Sequence, residues 1–264
     1  MQIRNALITG AGTRLGRAMA LALGEAGFDV AVHYRTSEEA ARALAVELRA
    51  MGRTATTHRA DLLDEDATRA LLPAVARALD GPVTLLINNA SIFDHDTLQT
   101  ATLDSWTRHM GTNLRAPFVL TQALAAQAPA ATTDQRGEQV AQALVVNMID
   151  QRVRKLTPEF MTYTLAKWGL WGLTQTAAQA LAPNVRVNAI GPGPTMQATR
   201  QSDAHFARQR AATVLQRGSN AQDVTAALLY LVNAPGVTGQ LICTDGGQHL
   251  GWRTPDILGV EPPG

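Results

Sequence analysis

Short, largely apolar segments alternate with longer segments of helical periodicity along the chain. The first apolar segment, residues 5–9, is followed by a helical stretch from Arg14 to Ala26 that ends at Gly27. Apolar strands separated by helices are typical of a parallel sheet that is covered on both faces. The alternation predicts a single doubly wound α/β domain with seven strands, at residues 5–9, 29–34, 54–59, 83–88, 143–148, 185–190 and 239–244.

The seven predicted strands belong to one domain, because no Pro/Ser-rich linker and no internal repeat divides the chain. We assign residues 1–250 to this Rossmann-type domain and residues 251–264 to a C-terminal tail. Residues 128–142 are predicted to form a polar, mobile connection, and residues 193–218 a long lid or binding loop. Helices are predicted at residues 14–26, 37–51, 64–79, 103–126, 162–181 and 221–232.

The composition argues against several classes of function. The 264 residues carry 23 Lys or Arg and 22 Asp or Glu, so there is no electrostatic reason to expect a nucleic-acid or membrane partner. No apolar run approaches the roughly 18 residues of a membrane span, and the N-terminus shows no signal-peptide pattern. Cys243 is the only cysteine and the six histidines lack metal-ligand spacing, so we expect a cytoplasmic protein without a metal site.

A glycine-rich loop, Thr9-Gly10-Ala11-Gly12-Thr13-Arg14-Leu15-Gly16, joins the first predicted strand to the first helix. Glycines at this place let the backbone approach a pyrophosphate, which the N-terminus of the helix then stabilises. A tight structural turn alone could also require glycine, but the strand before the loop and the helix after it favour dinucleotide binding.

The end of the second strand indicates which dinucleotide is bound. An NAD site needs an acid there to hold the ribose hydroxyls, whereas this strand ends His33-Tyr34-Arg35-Thr36. A 2′-phosphate between Arg14 and Arg35 would match two guanidinium groups, so NADPH is predicted as the cofactor in preference to NADH. Asp61, after the third strand, either hydrogen-bonds the adenine or caps the following helix.

Tyr163 and Lys167 lie four residues apart, on one face of a predicted helix. A lysine at this position favours the phenolate and can lower the pKa of the tyrosine toward the range of a useful proton donor.

In combination, these motifs resemble the short-chain dehydrogenase/reductase family over nearly the whole chain. The resemblance includes Asn88-Asn89-Ala90, Pro192-Gly193 and Asp245-Gly246-Gly247, in the family's order. It implies that Tyr163 is the proton donor, that Lys167 binds the ribose, and that Asn113 supports a proton-relay water. The predicted cofactor contacts are Gly10, Arg14, Leu15, Gly16, His33, Tyr34, Arg35, Thr36, Asp61, Leu62, Asn89, Ala90, Lys167, Pro192 and Gly193.

Two departures from the general family pattern point to a subgroup. Arg14 replaces a glycine, and Asp150 replaces the serine that stands thirteen residues before the tyrosine. A carboxylate would repel a carbonyl oxygen but suits a substrate with N–H groups or a ring nitrogen that needs a proton. The altered pattern resembles the pteridine reductases and dihydromonapterin reductases, in which an aromatic residue, here Phe93, stacks on the pterin.

This resemblance implies hydride transfer from NADPH to a ring imine of a dihydropterin such as dihydrobiopterin, dihydromonapterin or dihydrofolate. The predicted substrate contacts are Ser91, Phe93, Asp150 and Tyr163. An alternative is a carbonyl or 3-oxoacyl-thioester reductase, and another is a catalytically silent NADP-binding regulator. Trp168 and Trp171, on the catalytic helix, are either core residues or part of the interface of a homodimer or homotetramer.

Overall fold

The computed structural model describes residues 4–197 and 201–254, together with residue 256. Seven parallel strands form one sheet in the order β3-β2-β1-β4-β7-β8-β9, and β5 and β6 form a separate two-stranded hairpin. The strands are β1 (Asn5–Ile8), β2 (Asp29–Tyr34), β3 (Ala55–Arg59), β4 (Leu85–Asn88), β5 (Thr132–Thr133), β6 (Gln139–Val140), β7 (Ala143–Met148), β8 (Val185–Pro192) and β9 (Leu241–Thr244).

Helices cover both faces of the sheet, as the apolar strands require. Successive residues of β1 face opposite sides, because Ala6 and Ile8 belong to the core beneath α1, α2 and α8, whereas Leu7 belongs to the core beneath α3, α5 and α6. The helices are α1 (Arg14–Glu25), α2 (Glu38–Ala50), α3 (Glu65–Ala78), α4 (Leu103–Met110), α5 (Ala116–Ala125), α6 (Met161–Ala180), α7 (Asp203–Ala211) and α8 (Ala221–Asn233).

The predicted doubly wound fold with seven parallel strands is confirmed. The long helix predicted over residues 103–126 is continuous, but its centre, Gly111–Arg115, is a π-helical turn between α4 and α5. Such turns are often found at functional sites, and this one contains Asn113.

Two predictions about the connecting segments need correction. Residues 128–142, expected to be a mobile connection, contain the β5–β6 hairpin, whose turn is closed by hydrogen bonds to the Asp134 carboxylate. The loop predicted over 193–218 contains α7, and three of its residues, 198–200, lie outside the described ranges. Most of the predicted tail, including Ile257 and Leu258, also lies outside them. Among the described residues, no helix is long and apolar enough to cross a membrane.

The order of the strands fixes the place of the binding crevice. The chain runs from β1 outward through β2 to β3 and then returns to the opposite side of β1 to form β4. In open parallel sheets ligands bind at such a reversal, beyond the carboxyl ends of the strands. The glycine-rich loop follows β1 at this point, and Asn89 follows β4.

Candidate active site

A cavity of about 550 Å³ lies beyond the carboxyl ends of the strands. The glycine-rich loop, Arg35 and Asp61 line one end of it, and Phe93, Asp150 and Arg152 line the other. Residues that follow β8 and residues of α7 form a further wall. The cavity therefore brings most of the predicted cofactor residues and the predicted substrate residues Ser91, Phe93 and Asp150 into one site.

The glycine-rich loop has the conformation that its glycines allow. Gly10 has φ +62°, in the left-handed region that glycine adopts without strain. A Cβ at Gly16 would lie 2.4 Å from the Gly10 carbonyl oxygen, so only glycine fits there. The Asn89 side chain donates hydrogen bonds to the carbonyls of Thr9 and Gly10, and the Thr9 hydroxyl accepts from the backbone N–H groups of Asn89 and Ala90. Asn89 thus shapes the loop.

His33, a residue of β2, is hydrogen-bonded to the same loop. Its Nδ1 accepts a hydrogen bond from the Gly10 N–H at 3.0 Å, and its Nε2 donates to the Ala60 carbonyl at 3.1 Å. Burial lowers the pKa of His33 to about 4, so the ring is neutral and both nitrogens are used in these bonds. Tyr34 lies in the hydrophobic core, and the cavity lining includes neither Tyr34 nor Thr36.

The two arginines predicted to hold a 2′-phosphate have different surroundings. Arg35 is exposed, lines the cavity and has no ion-pair partner in the described part of the chain. Arg14 has φ +52° and donates hydrogen bonds to the carbonyls of Met196 and Gln197, at 2.9 and 3.0 Å. Arg14 therefore joins the glycine-rich loop to the segment after β8.

Further predicted cofactor residues line the same end of the cavity. Asp61 does so while its carboxylate accepts a hydrogen bond from the Leu63 N–H. The alternative role of Asp61 as a helix cap is wrong, because Asp64 caps α3 by accepting from the Ala67 N–H. The remaining predicted cofactor contacts that line the cavity are Leu15, His33, Leu62, Asn89, Ala90, Pro192 and Gly193, whereas Lys167 does not line it.

Tyr163 and Asp150 form a hydrogen-bonded pair at the other end. The Tyr163 hydroxyl donates to Oδ2 of Asp150 at 3.0 Å, and Oδ1 of Asp150 accepts from the Arg152 N–H at 2.8 Å. Burial raises the pKa of Asp150, although the positive charges of Arg152 and Lys167 oppose this. Burial and the neighbouring Asp150 carboxylate raise the pKa of Tyr163 well above its ordinary value, while a hydrogen bond with Ser91 acts in the opposite direction.

Lys167 lies next to the Tyr163 ring and is almost fully buried. Its ammonium group donates to the Met148 carbonyl at 2.7 Å and lies 5.7 Å from the centre of the Tyr163 ring. Burial lowers the pKa of Lys167 to about 8. In this structure burial and Asp150 set the raised pKa of Tyr163, and the expected lowering effect of Lys167 stays a prediction.

Asn113 holds the strand-to-loop segment after β4. Its amide oxygen accepts from the Ile92 N–H and its amide nitrogen donates to the Ile92 carbonyl, both at 2.9 Å. The π-helical turn places this buried side chain against the backbone of Ile92, which lies between Ser91 and Phe93 in the chain. Support of a proton-relay water by Asn113 stays a prediction.

An aromatic cluster borders the Tyr163 ring. The Phe93 ring stacks on Phe160 at 4.3 Å and meets the Tyr163 ring edge-on at 4.7 Å. Phe160 immediately precedes α6 in a left-handed conformation (φ +58°), and the Arg152 guanidinium lies 5.0 Å from its ring. No role was predicted from the sequence for Phe160 or Arg152. An aromatic residue three positions before the tyrosine could have indicated that Phe160 belongs to the site.

The chain matches known proteins over nearly its full length. The family model described as short chain dehydrogenase matches residues 4–208. Pteridine reductase 1 of Leishmania tarentolae is 31% identical over 287 residues, covering 93% of this chain and 96% of that protein. The 3-oxoacyl-[acyl-carrier-protein] reductase FabG of Staphylococcus aureus (strain N315) is 29% identical over 252 residues, covering 94% and 98%.

A solved structure gives a similar result. FolM alternative dihydrofolate reductase 1 from Brucella suis, in complex with NADP, is 40% identical, has a TM-score of 0.88, and the match covers 96% of this chain and 98% of that one. The match in sequence and fold confirms the predicted family, and the chain belongs to the short-chain dehydrogenase family.

Proposed function

We propose that this protein is an NADPH-dependent reductase that converts a dihydropterin or dihydrofolate to the tetrahydro form. The observation that carries the proposal is the hydrogen bond between Tyr163 and Asp150, whose carboxyl group lines the cavity. A carboxyl group at this place suits a substrate that must be protonated at nitrogen. The similarity to FolM of Brucella suis and to pteridine reductase 1 of Leishmania tarentolae supports the same class of substrate.

The residues at the nucleotide end fit NADPH. Gly10 and Gly16 line the cavity at the N-terminus of α1, where the backbone N–H groups of a helix can bind a pyrophosphate. The exposed guanidinium of Arg35 lines the cavity without an ion-pair partner among the described residues, as a group that binds a 2′-phosphate must. When bound, this cofactor supplies the hydride.

The proton comes from the chain's own residues. Tyr163 is a neutral phenol because burial and Asp150 raise its pKa. Asp150 accepts the phenolic hydrogen, so the two groups share one proton at the position where a ring nitrogen would be protonated. Lys167, directly below, provides positive charge that stabilises the pair after the proton has left.

Phe93 supplies the surface for a flat, aromatic substrate. Its ring is 48% exposed, lines the cavity and is backed by Phe160 on one face and by Tyr163 at its edge. An aromatic ring held in this way can bind a pterin by offset stacking.

A 3-oxoacyl-thioester or other carbonyl reductase is the second candidate, and the similarity to FabG of Staphylococcus aureus favours it. The substitution that separates the two candidates is Asp150→Ser. It should lower dihydropterin turnover by roughly 10²–10⁴-fold, the usual contribution of a positioned acid–base group. NADPH affinity should barely change, and Asp150→Asn serves as the matched variant that removes the charge but keeps the shape. Full pterin turnover in Asp150→Ser would remove the basis of the proposal.

We also propose that the protein is a cytoplasmic homodimer or homotetramer. Trp168 and Leu165 of α6 are 56% and 44% exposed, and Trp106 of α4 and Phe118 of α5 are exposed as well. Exposed apolar patches of this kind are typical of interfaces, whereas Trp171 packs partly against the core. Trp168→Glu should shift the species seen by light scattering to lower mass, and Val46→Glu, an equally exposed position on α2, should not. A wild type that is monomeric at micromolar concentration would contradict this.

A further inference from the structure

The catalytic helix α6 begins without a capping side chain of its own. Phe160, the residue before it, is in a left-handed conformation and offers no side-chain hydrogen bond. The first N–H groups of a helix need acceptors, and here Asp96, from the segment after Phe93, provides them. Its carbonyl accepts from the Met161 N–H at 3.2 Å, and its Oδ1 accepts from the Thr162 N–H at 3.1 Å.

The second carboxylate oxygen of Asp96 accepts hydrogen bonds from two hydroxyl groups. Oδ2 accepts from the Thr162 hydroxyl at 2.5 Å and from the Ser105 hydroxyl at 3.0 Å. Asp96 is only 3% exposed and Thr162 only 2%. Although burial raises the pKa of Asp96, hydrogen bonds from Thr162 and Ser105 hold it below its ordinary value, so Asp96 is ionised and acts as an acceptor at every bond.

His109, fully buried on α4, extends this set of bonds. Its Nε2 accepts from the Asp94 N–H at 3.2 Å, which leaves Nδ1 to donate to the Thr162 hydroxyl oxygen at 2.7 Å. Burial lowers the pKa of His109, in agreement with a neutral ring. Each hydrogen bond therefore has a single direction: the Asp94 N–H donates to His109, His109 donates to the Thr162 hydroxyl, and that hydroxyl donates to Asp96. We call these residues, with Ser105, the Asp96 network.

The Asp96 network joins the two elements on which the proposed chemistry depends. Tyr163 directly follows Thr162, and Phe93 directly precedes Asp94. The rings of Phe93 and Tyr163 meet at 4.7 Å, and the His109 ring lies 6.1 Å from that of Tyr163. A shift of the network would move the proton donor and the stacking ring relative to each other.

We infer that Asp96 and Thr162 are positioning residues, which hold Tyr163 against Asp150 and beside Phe93. Neither residue lines the cavity, so both act through their neighbours. The inference relies on the proposed function only for its turnover measurement. Small displacements of catalytic groups can lower rates by up to roughly 10²-fold.

The first test compares Thr162→Val with Thr162→Ser. Valine keeps the shape of threonine but removes the hydroxyl that links His109 to Asp96, whereas serine keeps the hydroxyl. Thr162→Val should lower kcat for dihydropterin reduction about tenfold or more, with NADPH affinity unchanged, and Thr162→Ser should recover most of the activity. Asp64→Ala, which removes the cap of α3, is the matched control and should lower stability without lowering kcat.

The second test needs no substrate. The chain has three tyrosines, so a protein labelled with ¹³C at the phenolic carbon gives three resonances, and Tyr163→Phe assigns one of them. Thr162→Val should shift or broaden the Tyr163 resonance and leave Tyr34 and Tyr230 unchanged. If the wild type reduces no pterin but Thr162→Val still shifts the Tyr163 resonance, the proposed function is contradicted and the positioning role is supported. An unchanged Tyr163 resonance in Thr162→Val, or an unchanged kcat where the wild type is active, would overturn the inference.

Discussion

Tyr163 donates a hydrogen bond to the carboxylate of Asp150, thirteen residues earlier in the chain, at 3.0 Å. α6 presents the phenol, and the turn after β7 presents the carboxylate, whose other oxygen is fixed by the Arg152 N–H. The pair therefore has a fixed geometry before any substrate binds. A preorganised group that carries a proton suits the reduction of a ring imine, in which the carbon accepts the hydride and the nitrogen accepts the proton.

The first prediction concerns the 2′-phosphate of the cofactor. Arg35→Ala should weaken NADPH binding and leave NADH binding almost unchanged, because NADH lacks the phosphate. Loss of one charge-assisted contact costs about 1.5–3 kcal/mol, which corresponds to roughly tenfold or more in Kd. Fluorescence titration with the two cofactors measures this. Arg42→Ala, on α2 and paired with Glu38, is the control, and equal losses for both cofactors in Arg35→Ala would contradict the assignment.

The second prediction concerns Phe93. Phe93→Ala should raise KM for the dihydropterin by roughly tenfold, because aromatic stacking adds about 0.5–1.5 kcal/mol to the burial of the ring. Phe93→Tyr keeps the ring and should behave like the wild type. NADPH affinity, measured in the same preparations, should be equal in all three proteins. A normal KM in Phe93→Ala would place the pterin elsewhere in the cavity.

The third prediction concerns the pH dependence of stability. Burial lowers the pKa of Lys167 from 10.5 to about 8. Between these two pH values the unfolded chain binds more protons at this residue than the folded protein does, so stability rises with pH across the window. The free energy of unfolding of the wild type, minus that of Lys167→Met, should therefore increase from pH 8 to pH 10.

Urea titrations of the cofactor-free protein at several pH values measure this difference. Lys155→Met is the matched control, since Lys155 is the only other lysine and is exposed. That variant should follow the wild type over the whole window. A constant difference between wild type and Lys167→Met would mean that Lys167 is not desolvated.

The fold was predictable because its signals are local and repeated. Most strands of the main sheet are rich in apolar residues, with β3 (Ala55–Arg59) as the polar exception, and helix boundaries are marked by residues such as Ser37 before α2 and Gly52 after it. The π-helical turn at Gly111–Arg115 has no such signal, because its hydrogen bonds depend on packing against the rest of the protein. The β5–β6 hairpin was missed because its polar residues look like a loop.

The sequence predicted which residues belong to the site better than it predicted the contacts that these residues make. Asp150, Phe93 and Arg35 line the cavity, and Tyr163 is hydrogen-bonded to Asp150 there. The partners of Arg14 and His33 could not be predicted, because they lie on segments far away along the chain, at Met196 and Ala60. Such long-range hydrogen bonds depend on the completed fold.

The most direct test of the central claim is the loss of NADPH absorbance with purified wild-type protein and a panel of substrates. The panel contains dihydrobiopterin, dihydromonapterin, dihydrofolate, a simple ketone and a 3-oxoacyl thioester. We predict rapid oxidation of NADPH with at least one dihydropterin or with dihydrofolate, and little with the two carbonyl compounds. Rapid reduction of the ketone or the thioester, with no turnover of any pterin, would contradict the account.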